Sequence, residues 1–143
     1  MILDILQAPN DVLSTPCEDA VPGPELSMLL HSMIETLQVT PNAIGLAAPQ
    51  VGVAIRAFVM GTAEQGYLAV VNPRIVKRSG IKLKSLEECL SVPGKKVIVK
   101  RSATITVRAI NAEGVPCEFT CKGPAACVVQ HEMAHLDGVL IGD

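Results

Sequence analysis

The sequence predicts an α+β fold: antiparallel sheets packed around a central C-terminal helix, with one further helix near the N-terminus. Three observations predict it. Helical apolar periodicity occurs at only two places, near residues 24–38 and 124–137. Between them lie β-rich runs separated by Gly, Pro and Asn turn signals. The strand-strand-helix order excludes a doubly wound parallel sheet. No linker, repeat or low-complexity stretch interrupts the 143 residues, so one domain is expected over 1–143.

The first segment, to about Pro24, is rich in turn formers (Pro9, Asn10, Asp11, Pro16, Pro22, Gly23) and is expected to wrap the surface. A helix follows to about Gln38. Pro24 suits its first turn, Glu25 complements its dipole, and Leu26, Leu29, Leu30, Met33, Ile34 and Leu37 form an apolar stripe. Residues 42–53, rich in Gly, Ala and Pro, read as loop. Strands are expected over 55–60, 67–71, 74–84, 97–100, 103–110 and 117–121. Gly66, Asn72-Pro73, Ser79-Gly80, Pro93-Gly94 and 111–114 supply the turns between most of them. The second helix begins near Pro124 and ends near Asp137, where Gly138 is a suitable stop.

Composition narrows the function. With no Trp, one Tyr and two Phe, the chain has little on which to stack single-stranded nucleic acid. A formal charge of -2 argues against a general polyanion binder and specific DNA binding. Nine of the twelve basic residues nevertheless fall between Arg74 and Arg101, which fits a solvated sheet face or a patch meeting RNA or an acidic partner. Five cysteines give no disulfide framework, and Cys117 and Cys121 stand about 13 Å apart at strand rise. No signal peptide or membrane-length apolar run is apparent, so a reducing cytoplasm is the expected compartment.

The chemistry concentrates in His131-Glu-Met-Ala-His135. Residues four apart on a helix have Cβ atoms about 5–6 Å apart, so both imidazoles can reach one metal ion, with Glu132 beside them. The alternative is a helix carrying two ordinary histidines and a surface glutamate. The third histidine, His31, has no motif around it and reads as a partly exposed or core-edge residue. A catalytic metal site needs a third protein ligand and an open position. Asp137 lies too close along the helix, so the ligand is sought upstream, where Cys89 stands out; alone, a bare cysteine is more often core.

Three ordered segments then resemble the peptide deformylases: Gly45-Leu-Ala-Ala-Pro-Gln50-Val-Gly52, Glu87-Glu-Cys-Leu-Ser91, and Gln130-His-Glu-Met-Ala-His-Leu-Asp-Gly-Val-Leu140. Val71-Asn-Pro73 and Ala8-Pro9 extend the likeness over nearly the whole chain. The resemblance implies Cys89, His131 and His135 as ligands of one metal, iron(II) first, with zinc, nickel or cobalt also able to occupy the site. It implies removal of the formyl group from the N-terminal Met of new polypeptides, with N-formylmethionyl nascent chains as substrates. Glu132 would move the proton, while the Gln50 amide and the Leu90 backbone N–H would hold the oxyanion. Gly45 would let the substrate backbone approach, its plainer reading being a turn glycine. Ile44, Cys127 and Val128 would line a methionine-sized pocket, although core packing alone also accounts for the last two.

Three positions depart from the family pattern. Ala43 replaces a glycine, and Glu88 replaces the glycine before the metal-binding cysteine, where substrate backbone is expected. Ala134 replaces an acid that pairs with an arginine, for which Arg101 is the candidate. Glu88 is expected to favour substrates with a basic residue after Met, and Glu87 to orient a ligand histidine. The chain stops soon after the motif helix, resembling the short forms without a C-terminal helix, so ribosome contact is expected to be weak. A monomer is expected. Two other readings share parts of the pattern: a catalytically silent relative that binds N-terminal peptides, and a general metallopeptidase. The intact Cys89, His131, Glu132, His135 and Gln50 set argues against the first. The second leaves the two upstream segments unexplained.

Overall fold

The computed structural model describes residues 1–142; the expectation about the chain's end falls on Asp143, outside the described residues. Two helices, α1 (Pro24–Val39) and α2 (Pro124–Leu136), frame seven strands: β1 (Gly45–Ala47), β2 (Ala57–Thr62), β3 (Gly66–Arg78), β4 (Lys82–Cys89), β5 (Val92–Ser102), β6 (Thr104–Ile110) and β7 (Pro116–Lys122). Five form an antiparallel sheet in the order β1-β2-β3-β6-β7, and β4 and β5 form a separate antiparallel hairpin. The α+β fold read from the sequence is the one observed.

Alternation along β2 explains how the layers assemble. Ala57 and Val59 point to one face, where they join Leu26, Leu30, Met33 and Leu37 of α1. Phe58 and Met60 point to the other, where they join Ala126, Val129, Met133 and Leu136 of α2. A strand covered on both faces reads as a continuous apolar run, and Ala57–Met60 is such a run. The helix α2 therefore lies between the large sheet and the β4–β5 hairpin.

Local chemistry sets the ends of α2. Pro124 occupies the first turn, where its missing N–H costs nothing. Gly138 adopts φ 77°, and a Cβ there would stand 2.9 Å from the backbone of Ser14 and Thr15. Glycine thus ends the helix and admits the N-terminal segment. Backbone bonds stitch that segment down, among them Leu6 N–H to the Gln50 carbonyl (2.7 Å), Ala8 N–H to Ser91 (2.8 Å), Cys17 N–H to Leu136 (2.8 Å) and Arg56 N–H to Glu18 (2.8 Å).

Several boundaries differ from the sequence reading. Residues 42–53 are not all loop: β1 pairs with β2, and Ala48–Val51 forms one 3-10 turn. Asn72-Pro73 does not end a strand. Asn72 takes φ 51° at a bulge inside β3, and its side chain bonds both the N–H and carbonyl of Ala20. Pro93-Gly94 lies within β5, whereas the hairpin turns at Leu90-Ser91, immediately after Cys89. Tertiary pairing overrides the local signal in each case.

Candidate metal centre

Three elements deliver the site. The end of β4 brings Cys89, the middle of α2 brings His131 and His135, and the turn after β1 brings Gln50. One ligand atom from each of Cys89, His131 and His135 lies within 4.8 Å of the others. The Cys89 Sγ stands 3.3 Å from His135 Nε2, and the two imidazole rings sit 5.1 Å apart at 70°. The i, i+4 spacing read from the sequence therefore does present both rings to the sulfur.

The surrounding side chains hold this set in place. Glu87 Oε1 is 2.8 Å from His131 Nδ1, leaving Nε2 of that ring for the centre of the cluster. Arg101 grips the same carboxylate twice, Nε to Oε2 at 3.0 Å and Nη2 to Oε1 at 2.7 Å. Arg101 was expected to be the partner of an acid at position 134; with Ala134 there, its partner is Glu87. The Gln50 carbonyl accepts the Ala47 N–H at 2.9 Å, so its amide is turned toward Ser91 Oγ (3.2 Å) and Cys89 Sγ (3.8 Å). Gln130, buried, brackets Ser102 by accepting its N–H (2.9 Å) and donating to its carbonyl (2.8 Å), which fixes α2 against the end of β5.

Glu132 is 4% exposed, and its Oε1 has no hydrogen-bond partner. Its Oε2 would lie 2.5 Å from a Cβ built at Gly45. Gly45 is thus a strand residue chosen for close approach, not the turn glycine of the plainer reading. By the alternation of an antiparallel pair, Ile44 turns its carbonyl to the Gly61 N–H of β2, so the N–H and C=O of Gly45 face the open edge of the sheet.

The electrostatics follow from this packing. Burial pushes the Glu132 carboxyl up to about 7, aided by Glu87 and opposed by His131 and Arg101. Burial also pushes Glu87 up, but hydrogen bonds from Arg101, His131 and Ser85 outweigh it and hold the carboxyl at about 2. For His131 burial works downward, yet Cys89, Glu87 and Glu132 raise it to about 10; His135, buried and facing His131, falls to about 3. The donor set of one sulfur and two imidazole nitrogens, with an orphaned carboxylate oxygen beside it, fits a single divalent ion with a coordination position left open.

The remaining expected residues are placed as follows. Leu90 sits in the hairpin turn, half-buried against the α1 core. Glu88 points outward, 3.6 Å from Lys96. Cys127 is buried one turn before His131, Val128 packs against the α2 core, and Ile44 is 57% exposed. A cavity of 330 Å³ borders the two imidazoles on the β5 side, with Val97, Val99, Arg101, Ala134 and Leu140 in its wall. None of Ile44, Gly45, Cys127 or Val128 lines it. His31 is exposed on α1, 3.7 Å from Glu35. Ser91 and Gln130 lie inside the quoted segments, but nothing in one sequence marks a serine as the partner of a glutamine 41 residues away.

An α+β scaffold presenting one thiol and two imidazoles beside a buried glutamate defines the site class of mononuclear metal-dependent hydrolases. Comparison makes the assignment specific. Residues 2–143 match the family model described as polypeptide deformylase, and the chain belongs to that family. The peptide deformylase of Dictyoglomus thermophilum is 40% identical over 144 residues, covering 100% of this chain and 92% of the relative. A crystal structure of peptide deformylase from Thermotoga maritima superposes with a TM-score of 0.93 at 37% identity, covering 99% of this chain and 95% of that one. A class I type b enzyme from Acinetobacter baumannii, solved bound to Met-Ala-Ser, gives 0.92 at 27% identity over 98% of this chain and 96% of its own.

Proposed function

We propose that this chain removes the formyl group from the N-terminal methionine of newly made polypeptides, releasing formate, through one divalent ion held by Cys89, His131 and His135. The convergence of those three donors beside the unpartnered Oε1 of Glu132 carries the reading. Family membership supports it, as does the relative that binds Met-Ala-Ser, the kind of peptide left after deformylation. Iron(II) suits a tetrahedral thiolate and imidazole set; zinc, nickel and cobalt suit it as well. When bound, the ion supplies Lewis acidity, lowering the pKa of water toward about 7 and polarising the formyl carbonyl.

The chain's own residues supply the rest. A peptide laid along the free edge of β1 pairs with Gly45 as an added strand, which aims its N-terminus at the cluster. Glu132 takes a proton from the attacking water and hands it to the departing amine, so that water and formyl-peptide become formate and a free N-terminus. The Gln50 amide and Leu90 N–H receive the oxyanion formed at the formyl carbon, each such donor being worth about 3 kcal/mol. Ile44, Cys127 and Val128 accept the methionine side chain, and Glu88 stands where the next residue passes. Residues 1–143 act as one catalytic domain, monomeric and cytoplasmic, with weak ribosome contact. Among the described residues, no helix is long and apolar enough to cross a membrane.

The test is anaerobic purification, metal counting and formate release from a formyl-Met peptide. Glu132→Ala should keep the metal and lose at least about 100-fold in kcat, the range of a general base, whereas His131→Ala should lose both. Metal-loaded protein that cleaves unformylated peptides, or releases no formate, would overturn the assignment.

A further inference from the structure

Glu88 apart, the outward face of the β4–β5 hairpin has no part in the chemistry above. Alternation puts Lys82, Lys84, Leu86 and Glu88 of β4 on that face, opposite Lys96, Ile98 and Lys100 of β5. All seven are exposed, Leu86 and Ile98 at 67% each. Lys84 and Lys100 stand directly across the ladder from one another, a like-charge pair that destabilises a hairpin left to itself. Lys82 donates to Ser102 Oγ at 3.0 Å. Among the described residues, no carboxylate lies within 4 Å of the ammonium groups of Lys82, Lys84 or Lys100; only Lys96 has one, in Glu88.

We infer that this face docks on the phosphate backbone of double-helical RNA. A net-negative chain that gathers unpaired lysines on one ribbon makes a local field its total charge conceals. Two strand steps separate Lys82 from Lys84, about 6.6 Å, so the two ammonium groups can reach neighbouring phosphates of one strand. Aromatic side chains are absent from the face, which removes base stacking and leaves backbone contact as the mode of binding. The choice of RNA over other polyanions rests on the proposed function, because chains still carrying a formyl group are found beside the RNA of the particle that makes them. The three lysines without a carboxylate partner lie toward the end of the hairpin away from Cys89, with Lys100 also at the wall of the cavity beside the imidazoles.

Fluorescence anisotropy with a labelled 20-base-pair RNA duplex tests the inference, titrated from about 50 to 200 mM salt. The wild type should bind, and the triple variant Lys82→Gln, Lys84→Gln, Lys100→Gln should bind at least tenfold more weakly at 50 mM. Its log–log salt slope should be shallower by roughly 2.7, at about 0.9 per phosphate contact. Lys122→Gln, on β7, should bind like the wild type. Undetectable wild-type binding at 50 mM salt, unchanged binding by the triple variant, or equal or tighter binding to duplex DNA or polyglutamate would overturn it. Formate release from a short formyl-Met peptide is measured separately and should stay within twofold in the triple variant. Absence of that activity in the wild type would strike the proposed reaction, while RNA binding is judged on anisotropy alone.

Discussion

At Gly45 a hydrogen atom stands where a methyl group would press on the carboxylate of Glu132. The built Cβ lies 2.5 Å from Glu132 Oε2, and that side chain is too buried to swing away freely. Gly45→Ala should therefore keep its metal but lose at least about tenfold in kcat, since small misplacements of a reacting group are costly. Full activity with unchanged KM would show that Glu132 has room to move. Glu88 is proposed to meet the residue after Met, and its exposed pairing with Lys96 at 3.6 Å is weak. Peptides with Lys after formyl-Met should be preferred over Glu by roughly two- to fivefold, the scale of one exposed ion pair. Glu88→Gly should erase that ratio, and an identical ratio in both proteins would refute the role.

At the scale of elements, the site depends on how firmly α2 is held against the hairpin. Gln130 performs that task through both the N–H and the carbonyl of Ser102, in a buried setting. Removing it strands two backbone groups, so Gln130→Ala should cost about 2–4 kcal/mol by urea unfolding. Glutamate at the same place, which accepts but cannot donate, should recover only part of the loss. The i, i+4 histidines and the glycine stop of α2 were legible in the sequence because a helix repeats every 3.6 residues whatever surrounds it. Strand limits were less legible. The bulge at Asn72 and the turn at Leu90-Ser91 are settled by partners far along the chain, Ala20 for the first and the N-terminal segment for the second.

For the molecule as a whole, Glu87 links three elements: β4, which carries it, β5 through Arg101, and α2 through His131. Its carboxyl is held at about 2, below the ordinary 4.5, so the folded state favours the ionised form. The stability it contributes to metal-free protein is complete above about pH 4.5 and is lost as the pH falls toward 2. Urea midpoints of wild type and Glu87→Gln should differ most near pH 6 and converge in acid; a gap that does not change with pH would contradict this. The same variant should bind metal about 10–100-fold more weakly, as expected when the partner of a ligand histidine is removed.

The sequence alone determined the fold class, the two helices and the histidine pair, because periodicity is a property of neighbouring residues; Cys89 joined them only through the resemblance of three ordered segments to a family. Only the tertiary structure decided that Arg101 serves Glu87, that Ser91 orients Gln50, and that β1 is a strand with a free edge. Those relations join residues 14 to 41 positions apart, or depend on a strand of three residues too short to carry a pattern. Contacts of that kind are fixed by which surfaces the packed sheets and helix bring together, and no local stretch of chain encodes them.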